Sequence, residues 1–548
     1  MNETPMNLQR TSNGLKRTSN TEHSTSNIEV PVSMQFPVGS SRMGQNAAGA
    51  GASALSRVRL QKSVFTSMLD VRCWMFGVQN LLFRAACFTF AVAFLFAAGC
   101  MVGPDYHAPQ TPVPPTWSST AATQPVAITN WWTQFNDATL NSLIARAMAT
   151  NLDLKIAESR VRQARAQRGI AAAGFWPTAD ATGQYRRQST GGAVPVSGDM
   201  YQAGLDASWE IDIFGGVRRG IEAAEADIAA SVENRRAVLI TLAAEVALNY
   251  LNLRGYQQQL AIARENIAAQ EHSAVLTRKR FPAFASRLDV ANAEALVATT
   301  RAALPVLESA ARQTIFALGV LLAREPAALT AELETAAPLP PTPPDVPVGL
   351  PSDLLRRRPD VRAAEAAIHG ATARIGVATS DLFPKFSLTG SLGTSSTTPS
   401  GLVDWNNRVY SFGPSASWSL FSSGKTLANI AAQNEVEQQA LLSYRKTVLT
   451  ALGDVEGALV AYGKEQQHRQ ALAAAVASNK EAVDLATRLY TEGQTDFVNV
   501  LSAQRALYSV QDALVQSERS IATGLLAIYK ALGGGWESEP PIPPRPAR

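Results

Sequence analysis

The stretch Val217–Phe281, VRRGIEAAEADIAASVENRRAVLITLAAEVALNYLNLRGYQQQLAIARENIAAQEHSAVLTRKRF, decides the fold. It contains no proline, and only Gly220 and Gly255 interrupt good helix formers. Apolar residues recur at Ile221, Ala224, Ile228, Val232, Leu239, Leu242, Val246, Leu253, Leu260 and Ile267. Gaps of three, four and seven put them on one face of a helix. At 1.5 Å per residue, roughly 65 residues make a rod on the order of 95 Å long. Helices of globular domains average about 11–12 residues, so a rod of this length needs neighbours of its own size. The chain supplies one in Lys425–Tyr490, again free of proline.

Around the rods the composition is ordinary. Charged residues make up 17% of 548, the net charge is +4 and mean hydropathy is −0.03. That argues against a disordered chain or a polytopic helical membrane protein. Lysine and arginine form no stripe interleaved with aromatics, so nucleic acid is not an indicated partner. Arg356-Arg357-Arg358 reads as a solvated helix start. Cys73, Cys87 and Cys100 all lie early, which leaves no disulfide framework or metal cluster for the main body. His23, His107, His272, His369 and His468 are scattered without ligand spacing.

Residues 1–67 are rich in Ser, Thr, Asn and Gly and read as a disordered extension, or as untranslated if synthesis starts at Met68 or Met75. Segment 68–99 reads as a signal peptide: Arg84 precedes an apolar run, Ala85 to Ala98, too short to span a bilayer. Ala97-Ala98-Gly99-Cys100 resembles a bacterial lipoprotein cleavage site, with Ala97 where leucine is usual. The resemblance implies diacylglycerol and an N-acyl chain on Cys100, and Met101, not being aspartate, implies the outer membrane. Two or three acyl chains anchor stably where one is marginal. A plain secretory signal with an incidental cysteine is the alternative.

The mature chain opens with a proline-rich arm, 100–130. A short helix follows Asp137 and a longer one runs from Asn151 to Gly174, broken at Phe175-Trp176-Pro177. Leu205 to Ile213 then alternates apolar and polar without a miss, a strand with one greasy and one wet face. With Thr178 to Arg187 it makes a hairpin, and the rod begins at Gly215-Gly216. After Phe281-Pro282 a helix runs from Ser286 to Gly319, with a kink expected at Pro305. Seven prolines in Pro338–Pro351 mark a linker. Beyond it the plan repeats: a helix from Arg362, strands Lys385–Leu392 and Tyr410–Leu420, the second rod, a turn at Glu492-Gly493 and a helix from Asp496 to Leu532. Trp176-Pro177 and Phe383-Pro384 are separated by 207 residues, as are Ile213-Phe214 and Leu420-Phe421. Two anchors at one spacing argue for an internal two-fold repeat, with a first unit at 131–341, a second at 342–536 and a proline-rich tail at 537–548.

Four alternating strands suit a membrane barrel, lipid outside and water inside, yet bacterial barrels start at about eight strands. An open sheet edge in lipid costs several kcal/mol per unpaired group. Hairpins that enter a bilayer must therefore share one barrel with other copies, and the rods would extend it as a ring of helices. A soluble coiled-coil protein with two wet hairpins shows the same alternation and stays open on these grounds.

Specific motifs carry a resemblance. Gly103-Pro104-Asp105-Tyr106 with Pro109, Trp131-Trp132 with Phe135 and Asp137, Trp209–Gly215, Ser286–Val290, Leu350–Asp360 and Phe383-Pro384 resemble outer-membrane factor lipoproteins, the TolC-like, NodT-type exit ducts of tripartite RND-type efflux systems. The match spans Cys100 to Gly534. It implies a mainly α fold with a small β part. Three chains would form a trimeric periplasmic α-barrel continuous with a 12-stranded outer-membrane β-barrel, four strands per chain. The implied partners are outer-membrane lipid, a periplasmic adaptor and an inner-membrane RND-type pump. Beyond the acyl chains on Cys100 no cofactor or metal is implied.

In that family the periplasmic end closes where helix pairs turn, here Arg280 to Asp289 and Tyr490 to Ser502. Asp289 matches the family's first-tip aspartate, and Arg280 and Arg287 are counted with it among the residues of the periplasmic gate. Asn499 and Ser502 stand where TolC carries aperture aspartates, which predicts weaker cation attraction at the aperture. Asp496 either compensates in part or caps the last helix, the latter preferred. Phe281, Phe284 and Gly493 mark the tips where an adaptor docks, and Arg280–Phe284 lacks the glycine that Gly493 provides in the other half. The leading function is a passive exit duct for drugs or other small toxic molecules. The same duct serving metal-ion or type I protein export, or a non-pore envelope lipoprotein, are the alternatives. An enzyme lacks support: there is no nucleophile–base set, metal spacing or phosphate loop.

Overall fold

Trp131–Phe135 forms a 3-10 turn, after which Asp137 starts helix α1 (Ala138–Thr150) by accepting from the Thr139 and Leu140 amides at 2.9 and 3.0 Å. The same carboxylate accepts from the Tyr250 hydroxyl at 2.6 Å. Burial, helped by that bond, pushes the Tyr250 phenol up to about 12. Asn151 caps helix α2 (Leu152–Ala173), and β1 (Thr178–Thr190) with β2 (Val196–Ile211) makes the first hairpin. Gly215, left-handed at φ 80°, turns the chain into α3 (Gly216–Arg280), 65 residues long, and α4 (Arg287–Leu321) returns beside it as one helix across Pro305. The second half follows with α5 (Pro351–Arg357), α6 (Pro359–Ser380), β3 (Lys385–Ser396), β4 (Arg408–Ser417), α7 (Lys425–Glu492) and α8 (Phe497–Ala531). Helices α2 and α6 are both 22 residues long, and α4 and α8 both 35.

This computed structural model describes residues 101–118, 129–190, 196–281, 285–343, 349 and 351–537. The expected extension 1–67, signal 68–99, Cys100, residues 119–128 of the arm, Phe284, Leu350 and the tail from 538 lie outside them.

The helices form a single layer. Near the sheet the order is α2–α3–α6–α7, and beyond it α4–α3–α8–α7. End-to-end joints sit at mid-height. Asn151 Nδ2 donates to the Leu321 carbonyl at 2.9 Å, and Arg358 Nη1 donates to the Ala531 carbonyl at 3.1 Å. Asn151 and Arg358 are themselves 207 residues apart. The main core wraps this level, with Trp131, Phe135, Leu140, Tyr250, Leu318 and Tyr529 in one buried cluster.

Three expectations are corrected. Arg358 does not belong to a solvated helix start: its side chain is 12% exposed and pairs with Asp360 at 2.6 Å and Asp454 at 3.2 Å, as a buried guanidinium must. Helix α6 starts at Pro359 rather than Arg362, because proline suits the first helical position. The fourth strand ends at Ser417 rather than Leu420, where Trp418 turns its indole N–H to the Leu382 carbonyl at 3.0 Å. The rod's stripe is also divided. Leu239, Leu242, Val246, Leu253, Leu260 and Ile267 are buried, while Ile221, Ala224, Ile228 and Val232 stay half-exposed.

In that upper part the buried positions are Ala223 and Ala226 with Arg219, Glu233 and Arg235. Glu233 Oε1 meets Arg236 at 2.6 Å and Arg362 at 2.8 Å. Burial raises its carboxyl above the ordinary range, outweighing the opposing pull of Arg362 and Arg236. A raised folded pKa contributes stability that is full below the unfolded value, about 4.3, and is lost as pH rises through the folded value. Glu233→Gln is therefore expected to match wild type in acid and gain on it as pH rises through that window. Thermal unfolding of both proteins across the window checks this, and parallel curves would refute it.

Candidate functional site

The four strands pair antiparallel in the order β1-β2-β3-β4, so the two hairpins form one sheet. Register sorts the side chains cleanly, because alternate residues face opposite sides. One face carries Tyr201, Leu205, Ala207, Trp209 and Ile211 of β2, Phe386, Leu388 and Leu392 of β3, and Tyr410 and Phe412 of β4. The other carries Thr182, Asp206, Ser387, Ser391, Ser411 and Ser415, joined by hydroxyl bonds: Ser387–Ser415 at 2.7 Å, Ser391–Ser411 at 2.9 Å and Thr182 to Asp206 at 2.9 Å. The apolar face is exposed, Leu205, Leu392, Tyr410 and Phe412 included. Aromatics bound it at both ends. Tyr185 and Tyr201, rings 4.9 Å apart, stand at the end away from the helices. Trp209 and Trp418 stand at the helix end, each donating its indole N–H at 3.0 Å to a carbonyl of the preceding helix–strand turn, Phe175 and Leu382. From Tyr201 to Ile211 the strand rises about 33 Å, or about 25 Å along the normal at the usual barrel tilt, the height of an apolar membrane band.

The arm begins at the helix–sheet junction. The Val102 amide donates to the Phe214 carbonyl at 3.2 Å, where Phe214 stacks on Phe383 at 4.6 Å. Gly103, at φ 91°, lies so close on α6 that a Cβ there would stand 2.5 Å from the Gly376 Cα. Arg219, buried, holds Asp105 at 2.7 Å and Glu222 at 2.8 Å. Tyr106 stacks on His369 at 4.4 Å and donates to Glu365 at 3.1 Å, and burial foremost raises its phenol well above the ordinary value. Farther on, the Trp117 indole donates to the Gly349 carbonyl at 2.9 Å and Ser118 to Glu456 at 2.6 and 2.8 Å. Residue 101 thus stands level with the start of the sheet, next in sequence to Cys100.

At the far end four helix termini meet. Ala274, Ala293, Leu296, Val297, Tyr490, Phe497, Val500 and Leu501 form a second apolar cluster. Arg280 Nη1 donates to the Tyr490 carbonyl, and its guanidinium lies 4.9 Å from the Tyr490 ring, which packs on Phe497 at 5.4 Å. Gly493, left-handed at φ 75°, stops α7, with Gln494 donating to the Leu489 carbonyl at 2.8 Å. Asp289 and Ser286 form a reciprocal capping box: the Ser286 amide and hydroxyl donate to Asp289 at 2.9 and 2.8 Å, and the Asp289 amide donates back at 3.0 Å. That carboxylate is committed to starting α4. Asp496 occupies the N-cap position of α8 but its side chain makes no capping bond. Asp496, Asn499 and Ser502 are exposed on the side of α8 away from the cluster, and Asn499 donates to Thr495 at 2.6 Å. Arg287 and Phe281 are exposed beside the turn.

A two-faced sheet on long helices that close in a tip is matched by a family model described as outer membrane efflux protein, over residues 143–324 and 350–534. The chain belongs to the outer membrane efflux protein family. Nodulation protein T of Rhizobium leguminosarum bv. viciae is 32% identical over 471 residues, 83% of this chain and 95% of that protein. Outer membrane protein OprJ of Pseudomonas aeruginosa is 34% identical over 473 residues, 84% and 96% of the two chains. The solved outer-membrane channel OprN superposes with a TM-score of 0.74 at 35% identity, covering 80% of this chain and all of the other.

For this outer membrane efflux protein, two contacts between distant segments escaped sequence reading. The Arg280–Tyr490 clasp joins residues 210 apart, and the one local sign of it is an aromatic one turn before the stop glycine. Arg219 is buried between the arm crossing α3, where it holds Asp105, and Gly376 of α6, against which its side chain lies.

Proposed function

We propose that this chain is one third of a homotrimeric exit duct, in which three sheets close a 12-stranded outer-membrane barrel and the helices continue it as a periplasmic tube. The observation that carries this is the single layer with two raw edges. Among the described residues, strands β1 and β4 each lack one neighbour. Helix α7 leaves Leu427, Leu442, Leu449, Val460 and Leu485 exposed, and the opposite edge leaves Leu152, Ile156 and Ile170 on α2 and Val306 and Val320 on α4. Such edges are completed by further copies, since a sheet cannot end in lipid. The paired helix lengths, the two family matches and the recurring mid-height joints support an internal two-fold repeat. The arm supports acylated Cys100 as an anchor at the membrane surface. A periplasmic adaptor and an inner-membrane RND-type pump would engage the tips and supply the energy, and small organic toxicants would pass through passively. The duct catalyses no reaction.

Neighbouring residues on β3 test the reading. Leu392→Arg places a cation on the apolar face at about 2–4 kcal/mol per copy near the midplane, and is expected to abolish assembly in the outer membrane. Ser391→Arg faces the wet side and is expected to assemble normally and shift ion selectivity towards anions in planar bilayers. Equal tolerance of both substitutions would overturn the barrel.

A further inference from the structure

The connection between β3 and β4, residues 397–407, folds back on the sheet. Two 3-10 turns build it, Pro399–Val403 and Trp405–Asn407. Thr394 donates its hydroxyl to the Leu402 carbonyl at 2.9 Å, Asn407 Nδ2 donates to the Gly401 carbonyl at 2.8 Å, and Asp404 accepts from the Asn406 amide at 3.0 Å. Thr394 belongs to the apolar face, in line with Leu392 and Leu388. Its bond to Leu402 therefore draws the loop over the rim of that face, where the first turn packs on β2 as well as β3.

The loop holds apolar groups there without covering them. Val403 is 91% exposed and Trp405 67%. Arg408, in register with Thr394, belongs to the same face. Its Nη1 donates to the Trp405 carbonyl at 3.2 Å and its guanidinium lies 5.8 Å from the Trp405 ring. No carboxylate among the described residues pairs with it. Tyr201 stands opposite Ser396 one row farther out, so cation, indole and phenol share the end of the band remote from the helices.

We propose that this rim, Val403, Trp405 and Arg408, docks the phosphorylated glycolipid headgroup of the outer leaflet. The proposal rests on the reading that the apolar face meets lipid. Tryptophan is at home where hydrocarbon gives way to polar headgroups, and Val403 beside it enters the acyl boundary. The planar guanidinium matches phosphate in two-pronged fashion. At a boundary of low dielectric it needs an anion that the described residues do not supply. The loop's own hydrogen bonds hold the three groups ready, which lowers the ordering cost of capture.

The test uses the full-length protein in nanodiscs, with binding of diphosphoryl lipid A, its dephosphorylated form and phosphatidylglycerol read by native mass spectrometry. Diphosphoryl lipid A is expected to bind wild type best. Arg408→Gln is expected to weaken it about tenfold, the worth of one charge-assisted bond, and to leave the dephosphorylated form unchanged. Trp405→Ala is expected to weaken both glycolipids, and Trp405→Phe to recover part of the loss. Equal binding of diphosphoryl lipid A by wild type and Arg408→Gln, or equal competition by phosphatidylglycerol, would overturn the proposal. Pore formation by each variant in planar bilayers separates the two levels. Pores with unaltered lipid binding sink the docking site alone, whereas absence of pores in wild type sinks the membrane reading beneath it.

Discussion

Tyr490→Ala is expected to make the duct leak. Tyr490 is 5% exposed at the junction of four helix ends, packed on Phe497 and clasped by Arg280. Truncating a buried aromatic costs about 3–5 kcal/mol, and the lost cation–π contact adds about 0.5–2 kcal/mol. The tip cluster is small and local, so the loss falls on tip closure rather than on the distant core. Single-channel recordings are expected to show longer and larger openings, and cells to admit antibiotics too large for a closed duct. Tyr490→Phe is the matching control. The Tyr490 hydroxyl is buried with no hydrogen-bond partner among the described residues, so phenylalanine keeps the packing and is expected to stay closed. An alanine variant as tight as wild type would show that the tip cluster does not gate.

Trp131→Ala is expected to have the largest effect on stability, about 3–5 kcal/mol. The side chain is fully buried, stacked on Tyr529 at 5.7 Å and set edge-on to Trp132 at 5.6 Å. Through Tyr529 it ties the turn after the arm to the last helix, so its loss loosens both ends of the described fold together. Its indole N–H lacks a partner among the described residues, so the contribution is packing, and Trp131→Phe is expected to lose less. Denaturant unfolding of the detergent-extracted protein measures both. A loss under about 1 kcal/mol for alanine would place the core elsewhere.

Much of the fold was legible because its signals are periodic. The rods, the hairpin pattern and the 207-residue offset all follow from spacing, and chain geometry leaves few ways to satisfy a 65-residue helix with one apolar stripe. What spacing could not reveal are contacts between distant segments. Arg358 looks like part of a basic run until Asp454 and the end of α8 close around it. Ile221 and Ile228 look like core until α2 and α6 pack on α3 through alanines and ion pairs instead. At the tip, residue type named Asp289 and Asp496, but local backbone geometry gave the first a capping box and left the second exposed. The clasp that joins the tips came from Arg280, whose partner lies 210 residues away.

The alternation of helix direction has an electrical consequence. Helices α3 and α7 run away from the sheet, while α2, α4, α6 and α8 run towards it, so neighbours in the layer are antiparallel at every height. Each helix end carries about half an elementary charge, and at the tips two negative ends of α3 and α7 meet two positive ends of α4 and α8. The backbone fields cancel where the layer ends. We therefore propose that whatever preference the aperture has for cations or anions is written by exposed side chains, with Asp496, Asn499 and Ser502 the candidates.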